Sequence, residues 1–216
     1  MNVLAIGAHF DDVELGCGGA LSKHVKNGDK VYAYVATKSG FTNHQNIEVR
    51  LDDIATLEGE NAMKVLGVKL IKGCFDTLKV EFTDDLNLEI LKIVEKYNID
   101  TVYSHWMGDV HHDHQAVAKA SLHSCRHVPR QVMYRSNWYH SNIDFKANFY
   151  VDISEFWELK KRSIEAHESE MQRTGSKWIE FFDNEAKNAG QRIGVQRAEV
   201  FEIVKWLVTL PKINTQ

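Results

Sequence analysis

The chain has 216 residues, 44% of them hydrophobic, enough for one substantial core and slightly more than a minimal domain needs. Its net charge of −4 offers no basic field to nucleic acid or an anionic membrane, which argues against both as partners. The N-terminal apolar run is too short for a signal peptide, no stretch is long enough to span a bilayer, and Cys17, Cys74 and Cys125 are too scattered for a disulfide framework, so the expected location is cytoplasmic with reduced thiols.

In chain order, Val3 to Ile6 reads as a strand that runs into Ala8-His9-Phe10-Asp11-Asp12-Val13-Glu14. A helix is predicted over Glu14 to Asn27, leaving through Asn27-Gly28-Asp29. Its Gly16-Cys17-Gly18-Gly19 lacks the Gly-x-Gly-x-x-Gly spacing of a nucleotide loop and instead indicates close packing of helix on sheet. Lys30 to Thr37 is a second strand, Ile47 to Leu66 a helix closed by Gly67, and Val68 to Lys72 a third strand. Leu86, Ile90, Ile93 and Val94 give helical spacing over Leu86 to Tyr97.

Thr101 to His105 is the fourth strand, followed by Asp109-Val110-His111-His112-Asp113-His114 and a helix over Gln115 to His127. Gln131 to Arg135 and Phe149 to Ile153 complete the strands read in this way. Ser154 is placed to cap a helix reaching Glu168, with acidic residues in its first turns. After Gly194, Ala198, Val200 and Phe201 open a segment that fits either a strand or a helix. Short buried runs alternating with helices predict an α/β fold, a Rossmann-like, mostly parallel sheet with helices on both faces, and no linker divides residues 1–216 into more than one domain.

Two of the predicted strands end in clusters of chemistry. Ligands of open α/β sheets bind at the carboxyl ends of strands. His9 and Asp12 are three apart, so a turn into the following helix brings both to one side, while Asp11 must point elsewhere. His111 and His114 repeat that spacing in the second cluster. One imidazole and one carboxylate from the first loop with one imidazole from the second make a three-ligand set with an open fourth position, the arrangement used by catalytic zinc. The groups left over, a carboxylate able to take a proton from water and an imidazole able to meet charge on a carbonyl oxygen, suit amide hydrolysis. Asp113 stands where it can hold an imidazole in one tautomer.

The two clusters resemble the motifs Ala-His-Pro-Asp-Asp-x-Glu and Asp-x-His-x-Asp-His of the PIG-L or LmbE-like zinc N-deacetylases, with Phe10 in the place of the proline. Glu58, Ala62, Leu66 and Gly67 resemble that family's helix after the second strand, and His167-Glu168-Ser169 its His-x-Ser, with Glu170 where glutamine is common. The resemblance spans about four fifths of the chain. It implies His9, Asp12 and His114 as Zn²⁺ ligands, Asp11 as general base, His111 as the group that polarises the carbonyl, and Asp113 as the residue that orients His111. The substrate it implies is a small N-acetylated amino sugar or conjugate, deacetylated in the biosynthesis of sugars, glycoconjugates or polysaccharides.

Arg50, on the loop after the second strand, and Asp109 are candidates for substrate binding. Glu14 either favours the helix dipole or supports the site from behind. Arg126, Arg130 and Arg135, interleaved with aromatic residues, read more readily as a solvated face than as a rim for phosphate, although such a rim is what favours a nucleotide-linked substrate. His105, His112, His123 and His127 read as surface or packing residues. The aromatic density around Trp138, Tyr139, Trp157 and Trp178 leaves room for self-association into a homo-oligomer. Two other functions compete: a phosphoesterase, which in its two-metal form needs more bridging carboxylates than these clusters supply, and an inactive metal-binding or carbohydrate-binding relative, which would need neither Asp11 nor His111.

Overall fold

Along β1 (Asn2–Gly7) side chains alternate between two cores. Leu4 and Ile6 face one that includes Leu86, Ile90, Ile93, Val102, Val117 and Ala120. Val3 and Ala5 face the other, with Val13, Cys17, Leu21, Met63 and Leu66. A strand buried on both sides is the mark of a parallel sheet covered by helices on both faces. The computed structural model describes residues 1–208 and shows this architecture.

In order the elements are α1 (Asp12–Lys26), β2 (Lys30–Thr37), β3 (Phe41–Thr42), β4 (Glu48–Arg50), α2 (Asp52–Leu66), β5 (Lys69–Phe75), α3 (Asp84–Lys96), β6 (Thr101–His105), α4 (His112–Ser124), β7 (Arg130–Tyr134), β8 (Phe149–Asp152), α5 (Trp157–Glu165), α6 (Glu168–Thr174), α7 (Lys177–Ile193) and β9 (Ala198–Trp206). The main sheet runs β5-β2-β1-β6-β7-β9-β8, parallel from β5 to β7, with β9 antiparallel to both β7 and β8. The order reverses at β1, whose neighbours β2 and β6 lie on opposite sides, and that reversal opens a crevice between the ends of β1 and β6.

The segment after Gly194 is therefore a strand. The predicted helix from Ile47 begins only at Asp52, because Glu48–Arg50 pairs with Phe41–Thr42 around a turn in which the Asn43 side chain accepts N–H bonds from Gln45 and Ile47. Ser154 does not cap a helix. Its hydroxyl bonds Asp152, and the helix starts three residues past the expected cap, at Trp157. The glycines of α1 do serve close packing: a Cβ at Gly16 would sit 2.1 Å from the Tyr134 ring and one at Gly19 2.8 Å from Ile153. Of the four aromatic residues singled out, Trp157 and Trp178 are buried in a third core with Ile153, Phe156 and Phe182, Trp138 packs against that core, and Tyr139 is exposed. Among the described residues no helix is long and apolar enough to cross a membrane.

Candidate active site

β1 delivers His9, Phe10, Asp11 and Asp12 into the crevice, and the loop after β6 delivers Asp109 and His111 to His114 beside them. Thr37, at the end of β2, fixes the start of the first loop by donating from both its backbone N–H and its hydroxyl to the Ala8 carbonyl. Phe10 is buried. Its ring lies against Gly59 of α2, where a Cβ would come within 2.2 Å, and against Val35 and Ala55. Packing thus anchors the loop in place of the φ restriction that a proline would impose, and Phe10 is not part of a substrate rim.

Asp11 has φ 128°, ψ −29°, a conformation that costs a non-glycine residue of order 1–3 kcal/mol and is concentrated at functional sites. The turn lets consecutive carboxylates diverge. Asp12 points inward, its Oδ2 accepting from the N–H groups of Ala8 (3.1 Å) and His9 (2.7 Å) and its Oδ1 from the Ser136 hydroxyl (2.8 Å). Asp11 faces the cavity, with Arg50 Nη1 3.6 Å away.

Three side chains converge. His9 Nδ1 lies 3.2 Å from His114 Nε2 and 3.4 Å from Asp12 Oδ2, and His114 Nε2 lies 3.2 Å from Asp12 Oδ1. A tetrahedral zinc with bonds of roughly 2.0–2.2 Å requires donors roughly 3.3–3.6 Å apart, close to these separations, with one Asp12 oxygen facing each imidazole. Donor chemistry and geometry both fit the ion.

Each ligand has a partner behind it. His9 Nε2 is 2.8 Å from Asp113 Oδ2, and Asp109 Oδ2 is 3.1 Å from His114 Nδ1, though off the line of a good hydrogen bond. The Asp113 carboxylate also accepts N–H bonds from Leu78 and Val80. The expected contact between Asp113 and His111 is made instead by the backbone: the Asp113 N–H donates to His111 Nδ1, capping α4. That bond leaves the imidazole proton on Nε2. Asp109 does not line the cavity; it is buried and bonded to the Asn137 amide and the His111 N–H. Asp113→Asn is expected to weaken metal binding by about 10–100-fold, read by chelator competition; unchanged affinity would show that the contact does not support the ligand.

Electrostatics separate the roles. Burial pulls the His9 and His114 imidazoles down, but hydrogen bonds that His9 donates to the Asp113 and Asp12 carboxylates raise it to about 9, and the charge of Asp12 with the Asp109 contact raises His114 to about 10. Burial and the two neighbouring imidazoles hold His111 at about 4, so it is a neutral donor. Burial and then the Asp12 charge push the Asp11 carboxyl up to about 7, against the pull of Arg50 and His167, a value suited to a proton acceptor near neutrality.

Beneath Asp11 runs a buried chain of charges that the sequence shows only in fragments. Arg50 donates to the Phe10 carbonyl (3.1 Å) and to Glu58 Oε2 (2.7 Å) and meets His167 Nδ1 at 3.1 Å; His167 Nε2 meets Glu14 Oε1 at 2.8 Å. Glu58 also accepts from the Ser169 N–H and hydroxyl. Glu14 therefore supports the site from behind. Arg50 lines the cavity, but most of its donors are engaged by protein. His105, read as a packing residue, is a missed member of the site: fully buried, it stacks on His114 at 4.1 Å and sets Nε2 3.1 Å from Asp12 Oδ2. Its only sequence signal was its place at the end of a strand facing the first cluster. His112 is turned outward, as expected.

The cavity in front of the triangle has a volume of 310 Å³ and is walled by Phe41, Leu78, Trp138, Tyr139 and Trp178, with buried Glu170 bonded to Arg173. Arg126, Arg130 and Arg135 stand elsewhere. Arg126 bonds the His123 carbonyl, Arg130 pairs with Asp100 at the opposite end of the sheet, and Arg135 packs over Phe145.

Residues 4–125, which include both clusters, match the family described as PIG-L, GlcNAc-PI de-N-acetylase. The chain belongs to this family. It is 31% identical over 183 residues to the uncharacterized deacetylase YaiS of Escherichia coli K12, covering 77% of this chain and 90% of that one. It is 28% identical over 189 residues to the diacetylchitobiose deacetylase of Thermococcus kodakarensis, covering 78% and 69%. The crystal structure of GalB, the 4-carboxy-2-hydroxymuconate hydratase of Pseudomonas putida KT2440, shares the fold with a TM-score of 0.79 at 16% identity, covering 99% and 100%. One architecture therefore carries different reactions, and for this PIG-L chain the site must specify the chemistry.

Proposed function

We propose that this protein is a zinc-dependent hydrolase that removes the N-acetyl group from an amino sugar or amino-sugar conjugate, giving acetate and a free amine. The observation that carries the reading is the triangle of His9, Asp12 and His114 with Asp11 and the Nε2–H of His111 on its open side. Zinc held there would polarise the amide carbonyl and acidify water. Asp11 accepts the proton of the attacking water and returns it to the leaving amine. His111, kept neutral with its proton on Nε2, donates to the oxygen that gains charge as the carbon becomes tetrahedral. The aromatic wall suits the apolar face of a pyranose ring, and Glu170 suits its hydroxyls.

The competing functions find less support. Asp12, the one carboxylate of the triangle, is already engaged at both oxygens by protein donors, which disfavours its bridging a second ion for two-metal phosphoryl chemistry. An inactive metal-binding relative gains nothing from Asp11, whose backbone conformation and buried charge both cost stability. The three cysteines are free thiols, in keeping with a cytoplasmic setting. A nucleotide-linked substrate loses the arginine rim that would have favoured it.

The test is acetate release from a panel of N-acetylated amino sugars and conjugates before chelation, after chelation and after return of zinc. Chelator-sensitive release is expected; release indifferent to chelation would overturn the zinc assignment. A second check needs no substrate. Because the folded-state pKa values of His9 and His114 lie above the ordinary 6.5, the stabilisation they give the metal-free protein is complete below pH 6.5 and lost as pH rises through 9 and 10. The Tm of the metal-free protein should fall across that window and that of the zinc-loaded protein should fall less; parallel curves would show that zinc does not replace these protons.

A further inference from the structure

The cavity in front of the metal ligands continues on two sides. On one, Phe41, Arg50, Thr77 and Leu78 also line a broad groove of 660 Å³. On the other, Leu15 and Asn137 also line an inner space of 70 Å³, which in turn shares Arg135, Phe145, Glu185 and Val200 with an outer groove of 360 Å³. Tyr139 borders both the cavity and that outer groove. Arg135, Asn137 and Tyr139, alternate residues of the segment after β7, each stand between two of these spaces, which follow one another from the cavity through the inner space to the outer groove.

The inner space begins beside the reacting groups. Leu15 follows Asp11 by one helical turn, its N–H donating to the Asp11 carbonyl at 3.0 Å, and Asn137 holds Asp109 through two bonds of 2.9 Å. The volume admits only a few water-sized groups. A two-carbon acid fits it and a sugar does not. Deacetylation yields such an acid, and its other product, the sugar amine, still fills the front of the cavity when the amide breaks.

Charge in the inner space suits a carboxylate. Its own buried acid, Glu199, is spent: it accepts from Lys160 at 2.6 Å and from the N–H groups of Gly19 and Ala20. Lys160, 3% exposed, gives one of its three hydrogens to Glu199 and one to the Leu15 carbonyl, which leaves the third unspent. Arg135, at the neck towards the outer groove, packs over Phe145 and among the described residues has no carboxylate within ion-pair distance. Glu185, on the same neck, is exposed, so water and salt screen its charge more than that of Lys160. Phe182, Ala186 and Ala198 supply an apolar wall for a methyl group.

We propose that the inner space is a carboxylate subsite through which acetate leaves, passing Leu15 and Asn137 and then Arg135 to the outer groove while the sugar amine departs by the front. This rests on the deacetylase reading and adds to it a site for the acid product and a second exit. The two products then leave independently, and acetate can re-enter from behind while the amine is still bound.

Product inhibition of the zinc-loaded enzyme tests this. Acetate that reaches the enzyme–amine complex lowers kcat as well as kcat/KM and gives mixed inhibition against the substrate. Acetate confined to the front meets only the empty enzyme and is purely competitive. Mixed inhibition is expected for the wild type, and Val200→Trp, which places a large ring at the neck, should convert it to competitive. Arg135→Ala should weaken the inhibition constant for the amine-bound form by about ten-fold or more, and it decides the matter if Val200→Trp does not fold. Purely competitive inhibition in the wild type, mixed inhibition that persists in Val200→Trp, or an unchanged constant in Arg135→Ala would each overturn the proposal. If no substrate releases acetate, the deacetylase reading has failed, and methyl NMR of the zinc-loaded protein titrated with sodium acetate tests the subsite alone: shifts of the Ala186, Ala198 and Val200 methyl signals support it, and their absence overturns it.

Discussion

Asp11→Asn is expected to lower kcat/KM by about 10²–10⁴-fold while leaving metal content unchanged. Asparagine keeps the size of the side chain, and it tolerates positive φ better than most residues, so the strained turn that aims position 11 at the cavity survives. The converging donors belong to His9, Asp12 and His114, and the Asp11 carboxylate is not among them. What is lost is the proton acceptor. Since the wild-type carboxyl sits at about 7, the wild-type rate should climb with pH through that value as the base form fills, and the climb should vanish in the variant. Linkage gives a second signature. A carboxyl raised above its ordinary 3.8 disfavours the folded state increasingly as pH rises through 7, so the variant should have a higher Tm than wild type at pH 8 and little advantage at pH 4. Zinc content, a pH–rate profile and two melting curves check the claim. Loss of zinc in step with activity would make Asp11 a ligand and end its assignment as the base.

How much of this could be read in the sequence followed from distance along the chain. His9, Asp11 and Asp12 adjoin one another, as do His111, Asp113 and His114, and each cluster follows a buried β-branched run, so motif, strand end and chemistry were visible together. The pairing within the site was not. Whether Asp113 turns its carboxylate to His9 or to His111 depends on the path of the loop carrying Leu78 and Val80, more than thirty positions away. The chain from Glu14 through His167 to Arg50 joins residues up to 153 positions apart, and no local pattern links them. One error arose from apolar spacing itself. Ile47, Leu51 and Ile54 imitate a helical stripe, yet all three are exposed, so their period carried no information about a core. The reverse happened at α7, where Trp178, Phe182, Ala186 and Ala189 follow helical spacing and are buried, a signal that was present and passed over.

Lys160→Met is expected to destabilise the protein by about 3–5 kcal/mol, which for a chain of this length lowers Tm by on the order of 10 °C. Lys160 of α5 and Glu199 of β9 form an ion pair at 2.6 Å with side chains 3% and 4% exposed, so solvent screening offers no discount. The pair is set into α1: Glu199 accepts the N–H groups of Gly19 and Ala20, and Lys160 donates to the Leu15 carbonyl at 2.7 Å. Removing the ammonium strands a buried carboxylate and frees a buried carbonyl. Removing both charges is different, because the Leu15 carbonyl and the Gly19 N–H stand four residues apart in one helix and are each other's natural partners. Lys160→Met combined with Glu199→Leu should therefore recover most of the lost stability, as replaced buried ion pairs often do. Thermal melts of the two variants decide it, and a double variant no more stable than the single would mean that the pair holds α1 in a shape the helix does not adopt alone. Since α1 opens on Asp12 and Glu14, zinc affinity measured on the same proteins then shows whether that shape reaches the metal ligands.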